Sequence, residues 1–244
     1  MENNILNEEE GKQLETIMHE IHTSLNSIIS TMGDISRLDL TRKEVQNQAK
    51  EKILDVANYA ESIRMYLNYW QLSNSSDYFK NAPKRPIDLW WLFTHPNAYF
   101  LNLMRKKKIE YNTEKSENII PSINGYPILN AIVNILLDNA VKYSPVGGEI
   151  LCQFETTRFD LIINLENDGP YLSEDEIETI TNHGNRGRNA IISETNGHGY
   201  GLNLLEEIIY NHGGELQIES LYSSKVNGIP YGKFICHITL PRSN

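Results

Sequence analysis

Cysteine is scarce in this chain: Cys152 and Cys236 are two residues among 244. Two thiols make no disulfide framework and show no zinc-type spacing. Both lie in apolar, strand-like runs, where reduced core thiols of a cytosolic protein are expected. Positive charge is also in deficit. Lys and Arg number 22 against 32 Asp and Glu, a net charge of −10, so bulk attraction to nucleic acid or to an anionic membrane is not expected. A local basic run, Arg105-Lys106-Lys107-Lys108, reads as a solvated helix end that complements the helix dipole. Apolar runs long enough to span a bilayer are missing, so no direct membrane insertion is expected. The opening Met-Glu-Asn-Asn has no basic region followed by an apolar stretch, so no signal peptide is expected. What remains is globular in composition, 40% hydrophobic and 22% charged. The length suits one large domain or two small ones.

Residues 8 to about 73 carry heptad patterning. Leu14, Met18, Ile21, Leu25, Ile28, Met32 and Ile35 follow one another at alternating steps of four and three, a helical seam. Gly33-Asp34 weakens its end. Asp39-Leu40-Thr41 reads as a turn, with Thr41 as N-cap of the next helix. A second seam runs through Ala49, Ile53, Val56, Ala60, Ile63, Leu67 and Trp70. Two helices joined by a short turn make an antiparallel hairpin, and one hairpin leaves much of its apolar stripe uncovered. Pairing with a second copy closes a four-helix bundle, so a homodimer is expected. His19 lies at the flank of the seam, where its imidazole reaches solvent. Glu20 beside it is suited to orient the ring and leave the other nitrogen nucleophilic. Thr23, four residues on, shares the His19 face and is suited to position a water. On the helix alone an ordinary surface histidine is the commoner reading. His22 lacks an adjacent acid and ranks below His19.

Ser73-Asn74-Ser75-Ser76-Asp77 is a polar cluster of loop composition. It divides the chain into a hairpin over 1–73, a linker over 74–77 and a second domain over 78–244. A short strand is expected near 78–81, followed by punctuation at Pro83 and Pro86. An apolar helix begins near Asp88 and is interrupted at Pro96. Trp90, Trp91, Tyr99 and Phe100 read as core. Further strands are expected at 109–112, 149–155, 159–165, 215–221 and 233–240, and helices at 127–143 and 200–210. Ser173 caps a short helix with glutamates in its first turns. Residues 183–198, rich in Gly, Asn and Ser, read as a mobile loop. The result is a mixed sheet with helices on one face, an α/β sandwich, within a chain that is α+β overall.

Two motifs in this second domain carry chemistry. Asp138, Asn139, Lys142 and Tyr143 share one helix end. An Asn oxygen suits magnesium, which prefers oxygen ligands and bridges substrate phosphates. Asp138 is suited to hold a water or polarise a nucleophile, and Lys142, one turn along, to reach a phosphate. Sixty residues later, Gly197, Gly199 and Gly201 alternate with His198 and Tyr200 and lead through Leu202 into a helix. Such a loop lets backbone N–H groups approach an anion, and the helix adds its dipole. Singly, each signal is a common turn or capped helix end. Their order and context are harder to dismiss.

The chain resembles the two-domain core of bacterial sensor histidine kinases from about residue 8 to Arg242. That core is a dimerisation and phosphotransfer hairpin followed by an ATP-binding domain of the type shared with Hsp90, gyrase and MutL. His19-Glu20-Ile21-His22-Thr23-Ser24-Leu25 resembles the phosphoacceptor box. Leu137-Asp138-Asn139-Ala140-Val141-Lys142-Tyr143-Ser144-Pro145 resembles the N box, whose Asn binds magnesium. Asn167-Asp168-Gly169-Pro170 resembles the first glycine box, which holds adenine, and Gly197 to Leu202 resembles the second. His212-Gly213-Gly214-Glu215-Leu216 and Thr239-Leu240-Pro241 are similar to the family's closing turn and strand. The resemblance implies ATP with Mg2+ as donor, His19 as acceptor, and an aspartate on a response regulator receiver domain as recipient. It also implies a cytoplasmic protein. Thr23 would support the reverse, phosphatase, activity. No sensor domain is expected before the stem, and a separate input protein is expected.

The chain departs from that pattern at several places. Asn167 stands where the family has Asp, with the acid one later at Asp168. An Asn oxygen still accepts the adenine amine, with about 1 kcal/mol forfeited with the charge. Tyr171 replaces the second glycine of that box, where it would crowd the purine. Ile135 replaces an earlier N-box Asn. Ile180-Thr181-Asn182-His183 lacks the Phe pair of the aromatic box, and Ser24 replaces a Pro. A second reading follows from these departures: a degenerate phosphotransfer protein or dimeric adaptor that does not use ATP. A third is another ATPase class on the same fold, against which the heptad stem counts.

Overall fold

The computed structural model describes residues 2–74, 83–194 and 199–242, with 2–16, 20, 58, 65, 68, 69 and 71–74 described by backbone alone. The chain divides into two compact units, Met1–Asn81 and Ala82–Asn244. The expected linker, from residue 75 on, and the strand expected near 78–81 lie outside the described residues.

The first unit consists of α1 (Glu2–Ser36) and α2 (Lys43–Asn74). They run antiparallel, with Lys52 Nζ 2.7 Å from Asp34 Oδ2 near the turn. Asp39, rather than Thr41, organises that turn. Its Oδ1 accepts the Thr41 N–H at 3.1 Å and the Thr41 hydroxyl at 2.7 Å, an Asx-type arrangement that competes with capping by Thr41 itself. The hairpin buries Ile17, Ile21 and Ser24 against Ala49 and Tyr66. The other half of the heptad seam faces outward: Met18, Leu25 and Met32 of α1 and Ile53, Leu67 and Trp70 of α2 are 40–53% exposed. A two-helix contact is narrow, so it covers one flank of the seam and leaves the other wet.

The second unit opens with β1 (Arg85–Ile87), α3 (Leu89–Thr94) and α4 (Ala98–Lys107). Asp88 caps α3 by accepting the Trp91 N–H, and Asn97 caps α4 by accepting that of Phe100. Next come β2 (Glu110–Lys115), β3 (Ile123–Gly125), a 3-10 turn (Pro127–Asn130) and α5 (Ala131–Tyr143). β4 (Glu149–Thr156) and β5 (Asp160–Pro170) lead to two short helices, α6 (Glu174–Ile177) and α7 (Arg188–Ser193). The chain closes with α8 (Gly201–Asn211), β6 (Glu215–Val226) and β7 (Ile229–Pro241).

β1 and β3 form a small antiparallel pair, and the main sheet has the order β2-β4-β5-β7-β6. β2 runs parallel to β4, whereas the β4–β5, β5–β7 and β7–β6 pairs are antiparallel. One face is apolar at every second residue: Ile150, Cys152 and Phe154 on β4, Leu161, Ile163 and Leu165 on β5, and Cys236, Ile238 and Leu240 on β7. This period of two is what a sheet covered on one side requires. Buried Leu and Ile residues of α5 and α8 complete that core. Both cysteines are free and buried, and burial alone pushes the Cys236 thiol up to about 12.

Three expectations are corrected. Trp91 is 54% exposed and stacks on His95, while Trp90 packs edge-on against Phe154 in the core. β5 runs on past 165 to Pro170 and so includes Asn167, Asp168 and Gly169. The segment 183–198 contains a helix, α7, rather than loop alone.

Candidate functional site

α5 turns its apolar face inward, with Ile132, Ile135, Leu136 and Ala140 buried. Asp138, Asn139, Lys142 and Tyr143 lie on its more open side. The start of α8 abuts this side. A methyl group added at Gly201 would lie 3.5 Å from Ile135 Cγ2 and 3.7 Å from Asn139 Nδ2. Two motifs sixty residues apart in sequence therefore meet at Asn139. Tyr200 occupies the N-cap position of α8 and makes no side-chain capping bond, so the first-turn N–H groups keep the anion preference of a helix start. Gly199 has φ of 76°, and a Cβ there would come within 2.5 Å of the Asn185 carbonyl oxygen and 2.6 Å of the Gly184 carbon. Glycine is thus required both by the left-handed backbone and by the close approach of the 184–185 chain. His183 packs its ring on Tyr200 at 4.5 Å, an aromatic contact in the segment that lacks the Phe pair. Gly197 and His198 lie outside the described residues.

The charges at this helix end constrain one another. Although Asp138 is exposed at the surface of α5, the protein packed around its carboxyl pushes that group up, against the pull of Lys142, and Glu194 adds to the rise. Burial lowers Lys142, Asp138 opposes that, and Arg186 lowers it further. Arg186 Nη2 donates to the Tyr143 hydroxyl at 3.3 Å and to the Ala190 carbonyl at 3.4 Å. It also donates to the Glu194 carbonyl, so one guanidinium joins the end of α7 to the end of α5. The sequence reading passed over Arg186. Its signal was a lone guanidinium among Gly184, Asn185 and Gly187.

Strand alternation separates Asn167 from Asp168. Asn167 is 2% exposed on the core face, and its Nδ2 donates to the Asp168 carbonyl at 2.8 Å. Gly169 shares that face, where a Cβ would sit 3.2 Å from Asn167 Nδ2. Asp168 points to the other face. Its Oδ2 accepts the Glu149 N–H at 3.1 Å, and its Oδ1 lies 3.2 Å from Lys233 Nζ. Burial alone would lower Lys233, but its bonds to Glu166 and Asp168 prevail and raise it. Asp168 is therefore not brought to the Asn139 and Asn167 side, because neighbouring strand residues alternate in direction. Tyr171 packs edge-on against Tyr222 of β6 at 5.7 Å.

The basic run at the end of α4 also differs from expectation. Lys107 is half-buried, and its Nζ bonds three carbonyl oxygens at the far end of α5. In the hairpin unit, His19 and Thr23 are exposed on α1 and Ser24 is buried. The Glu20 side chain lies outside the described residues.

These residues suit a magnesium-borne polyphosphate. Among the described residues no group of three or more His, Cys, Asp or Glu is placed to hold a metal. Asn139 offers a single neutral oxygen, the ligand pattern of a metal carried in by phosphates. Asn139 and the start of α8 bring a carboxamide and backbone N–H groups together, and Lys142, one turn along α5, adds an ammonium that lies over the Tyr143 ring. That donor set fits the group.

Residues 126–244 match the family described as Histidine kinase-, DNA gyrase B-, and HSP90-like ATPase. The chain is 33% identical over 104 residues to the signal transduction histidine-protein kinase/phosphatase MprB of Mycobacterium ulcerans, covering 41% of this chain and 19% of that protein. It is 25% identical over 244 residues to the sensor protein ChvG of Rhizobium meliloti, covering 96% of this chain and 35% of that protein. The chain thus spans 19% and 35% of the length of these two relatives. Among solved structures, histidine kinase ThkA in complex with the response regulator protein TrrA aligns at a TM-score of 0.57. That alignment has 16% identity, over 96% of this chain and 62% of that one. The catalytic domain of ThkA aligns at 0.53 with 20% identity, over 65% and 95%. At such identities these structures speak to the fold alone. No described helix is long and apolar enough to cross a membrane. Family match and fold agree: residues 126–244 carry a histidine kinase-, gyrase B- and HSP90-like ATPase domain, similar to the ATP-binding core of bacterial sensor histidine kinases.

Proposed function

We propose that this chain is an ATP-dependent protein histidine kinase of the two-component type, which phosphorylates His19 and passes the phosphoryl group to a receiver-domain aspartate. The observation that carries the reading is the contact of Asn139 with the start of α8. ATP bound with Mg2+ would bring the transferable phosphoryl group and a charge-neutralising metal to Asn139. Lys142 and the first-turn N–H groups of α8 would hold phosphate oxygens, and Asn167, buried on the core face, would accept a bond from the base. The unprotonated imidazole nitrogen of His19 would attack the γ-phosphorus as the bond to the ADP oxygen breaks and ADP leaves, and Glu20 would accept the proton of the other ring nitrogen. Thr23, one turn from His19, would position water for the reverse hydrolysis. Such an ATP-dependent reaction belongs to the cytoplasm.

Dimerisation is part of this reading. The outward half of the heptad seam is an apolar stripe on both helices, and a second copy covers it in a four-helix bundle. The receiver domain is a further partner of the proposal.

Incubation with γ-labelled ATP and magnesium tests the reading. Acid-labile, base-stable label is expected on the wild type and absent from His19→Ala and Asn139→Ala. Folded, dimeric protein that takes no label would instead favour the phosphotransfer or adaptor reading, which Asn167 in place of an acid motivates. In that case Asn139→Ala changes nothing, and His19→Ala blocks transfer from a phosphorylated partner. ATP hydrolysis that survives His19→Ala would mark another ATPase class.

A further inference from the structure

Lys107 belongs to none of the nucleotide motifs above, yet its ammonium is bonded three times over to the end of the helix that carries one of them. Its Nζ donates to the carbonyls of Val141 at 2.8 Å, Lys142 at 2.9 Å and Ser144 at 3.2 Å. An ammonium has three donors, so all of them are committed to one helix end. The last carbonyls of a helix have no intrahelical partner and carry the negative end of its dipole. α5 ends abruptly: Ser144 leaves the helix with ψ of 136°, and Pro145 follows. Lys107 thus caps both the last turn and the first residue beyond it. The backbone ties the two segments a second time, with the Gly147 N–H donating to the Lys107 carbonyl at 2.8 Å. Arg105, two residues earlier, instead bonds Asn102 within its own helix.

The clamped turn is the one that carries Lys142 and Tyr143 and begins just after Asn139. The charge of Glu194, at the C-cap of α7, acts on Lys107 and also on Lys142 and Asp138. We propose that Lys107 is a positioning residue of the nucleotide site, whose ammonium fixes the C-terminal turn of α5 so that Asn139, Lys142 and Tyr143 keep their places against α8. It touches neither substrate nor metal and acts through α5. The inference rests on the ATP-binding reading of that site.

The test compares Lys107→Met, which keeps the stem but removes charge and donors, with Lys107→Arg and with the exposed neighbour Lys106→Met. Two readouts are taken: KM for ATP and kcat of His19 labelling, and amide hydrogen exchange over 140–147 without nucleotide. Lys107→Met is expected to raise KM for ATP by about tenfold and to speed exchange at 140–147 while β5 and β7 stay protected. Lys107→Arg should recover most of both effects, and Lys106→Met should leave them at the wild-type values. A Lys107→Met protein with KM and local exchange within about twofold of wild type would overturn the proposal. So would a lowered melting temperature with unchanged KM and exchange raised evenly across the unit, since that marks a purely structural lysine. Should the wild type neither bind nor use ATP, the nucleotide reading is what fails. The exchange profile then decides the clamp by itself, and an unchanged profile overturns it.

Discussion

At the scale of single residues, the pair Asn167 and Asp168 carries the sharpest consequence. The acid one position late does not substitute for the missing one, because it is spent on Glu149 and Lys233 across the sheet. Restoring the charge at the buried position is a different matter. Asn167→Asp should tighten ATP binding by about five- to tenfold, the difference between a neutral and a charge-assisted bond. The same change should destabilise the nucleotide-free protein by about 1–3 kcal/mol, since the carboxylate is then buried without a partner. Competition binding and urea unfolding read the two effects. Unchanged ATP affinity would remove Asn167 from the base-binding group. The sequence made the departure visible, but whether Asp168 compensates depends on which face of the sheet it occupies. Because β5 extends beyond 165, the alternation was set by pairing with β4 and β7 rather than by local composition.

His212 makes a prediction of a different kind. Its Nδ1 donates to the Ile208 carbonyl at 2.6 Å, and its Nε2 accepts the Tyr126 N–H at 3.0 Å. The ring is therefore neutral, and burial lowers its pKa below the usual 6.5, against the pull of the Ile208 carbonyl. Protonation would set an N–H against the N–H of Tyr126. With the folded-state pKa depressed, the unfolded chain takes the proton first. The stability contribution is therefore full above pH 6.5 and is lost as pH falls through the folded value. Denaturant unfolding from pH 7.5 to pH 5 should show this slope in the wild type, and His212→Gln should flatten it. Equal slopes would mean that other groups govern the acid limb.

At the scale of elements, α7 shows how tertiary contacts override local pattern. Six residues, Arg188–Ser193, are too few to be helical alone, and their composition reads as loop. Glu176 supplies the missing support. One of its oxygens accepts from the Ser173 N–H and hydroxyl, completing a capping box for α6, while the other accepts the Arg188 N–H at 2.7 Å at the start of α7. Gly187 lets this start approach closely, since a Cβ there would fall 2.2 Å from Leu172 Cδ2. Glu176→Ala should cost about 1–2 kcal/mol and speed amide exchange in 188–193 more than in α8. Loss of exchange protection in α8 with none in α7 would show the support to run the other way. Ser173 as a cap was legible from its sequence, because capping is local. The reach of Glu176 to residue 188 was not. The three-residue pairing of β1 with β3 was equally hidden, being shorter than any alternation can reveal, whereas Asn227-Gly228, whose left-handed φ values of 52° and 84° close the β6–β7 hairpin, was a readable turn signal passed over.

For the whole molecule, the α+β plan and the mixed sheet were legible because period and punctuation change sharply along the chain. The hairpin seam was legible in period and only partly in phase: Ile21 faces inward as expected of a core, while Met18, Leu25 and Met32 face out. A seam meant for two surfaces looks the same in sequence as a seam meant for one. The outward half predicts self-association. Met18→Glu with Leu25→Glu should yield a monomer by sedimentation equilibrium at concentrations where the wild type is dimeric, with the ATP affinity of residues 82–244 unaffected. A double variant that stays dimeric would mean that the stripe serves another contact.

The division of the chain at Asn81 and Ala82 bears on how its stability is to be measured. A scanning calorimeter should record two heat absorptions rather than one. If the hairpin pairs as proposed, its peak should move to higher temperature as the protein is concentrated, and it should ignore added nucleotide. The peak of the sheet unit should do the reverse, rising with Mg-ATP and standing still on dilution. On the dimer proposal, a single melting temperature for this protein would average two quantities that respond to different ligands, one of which is the protein itself.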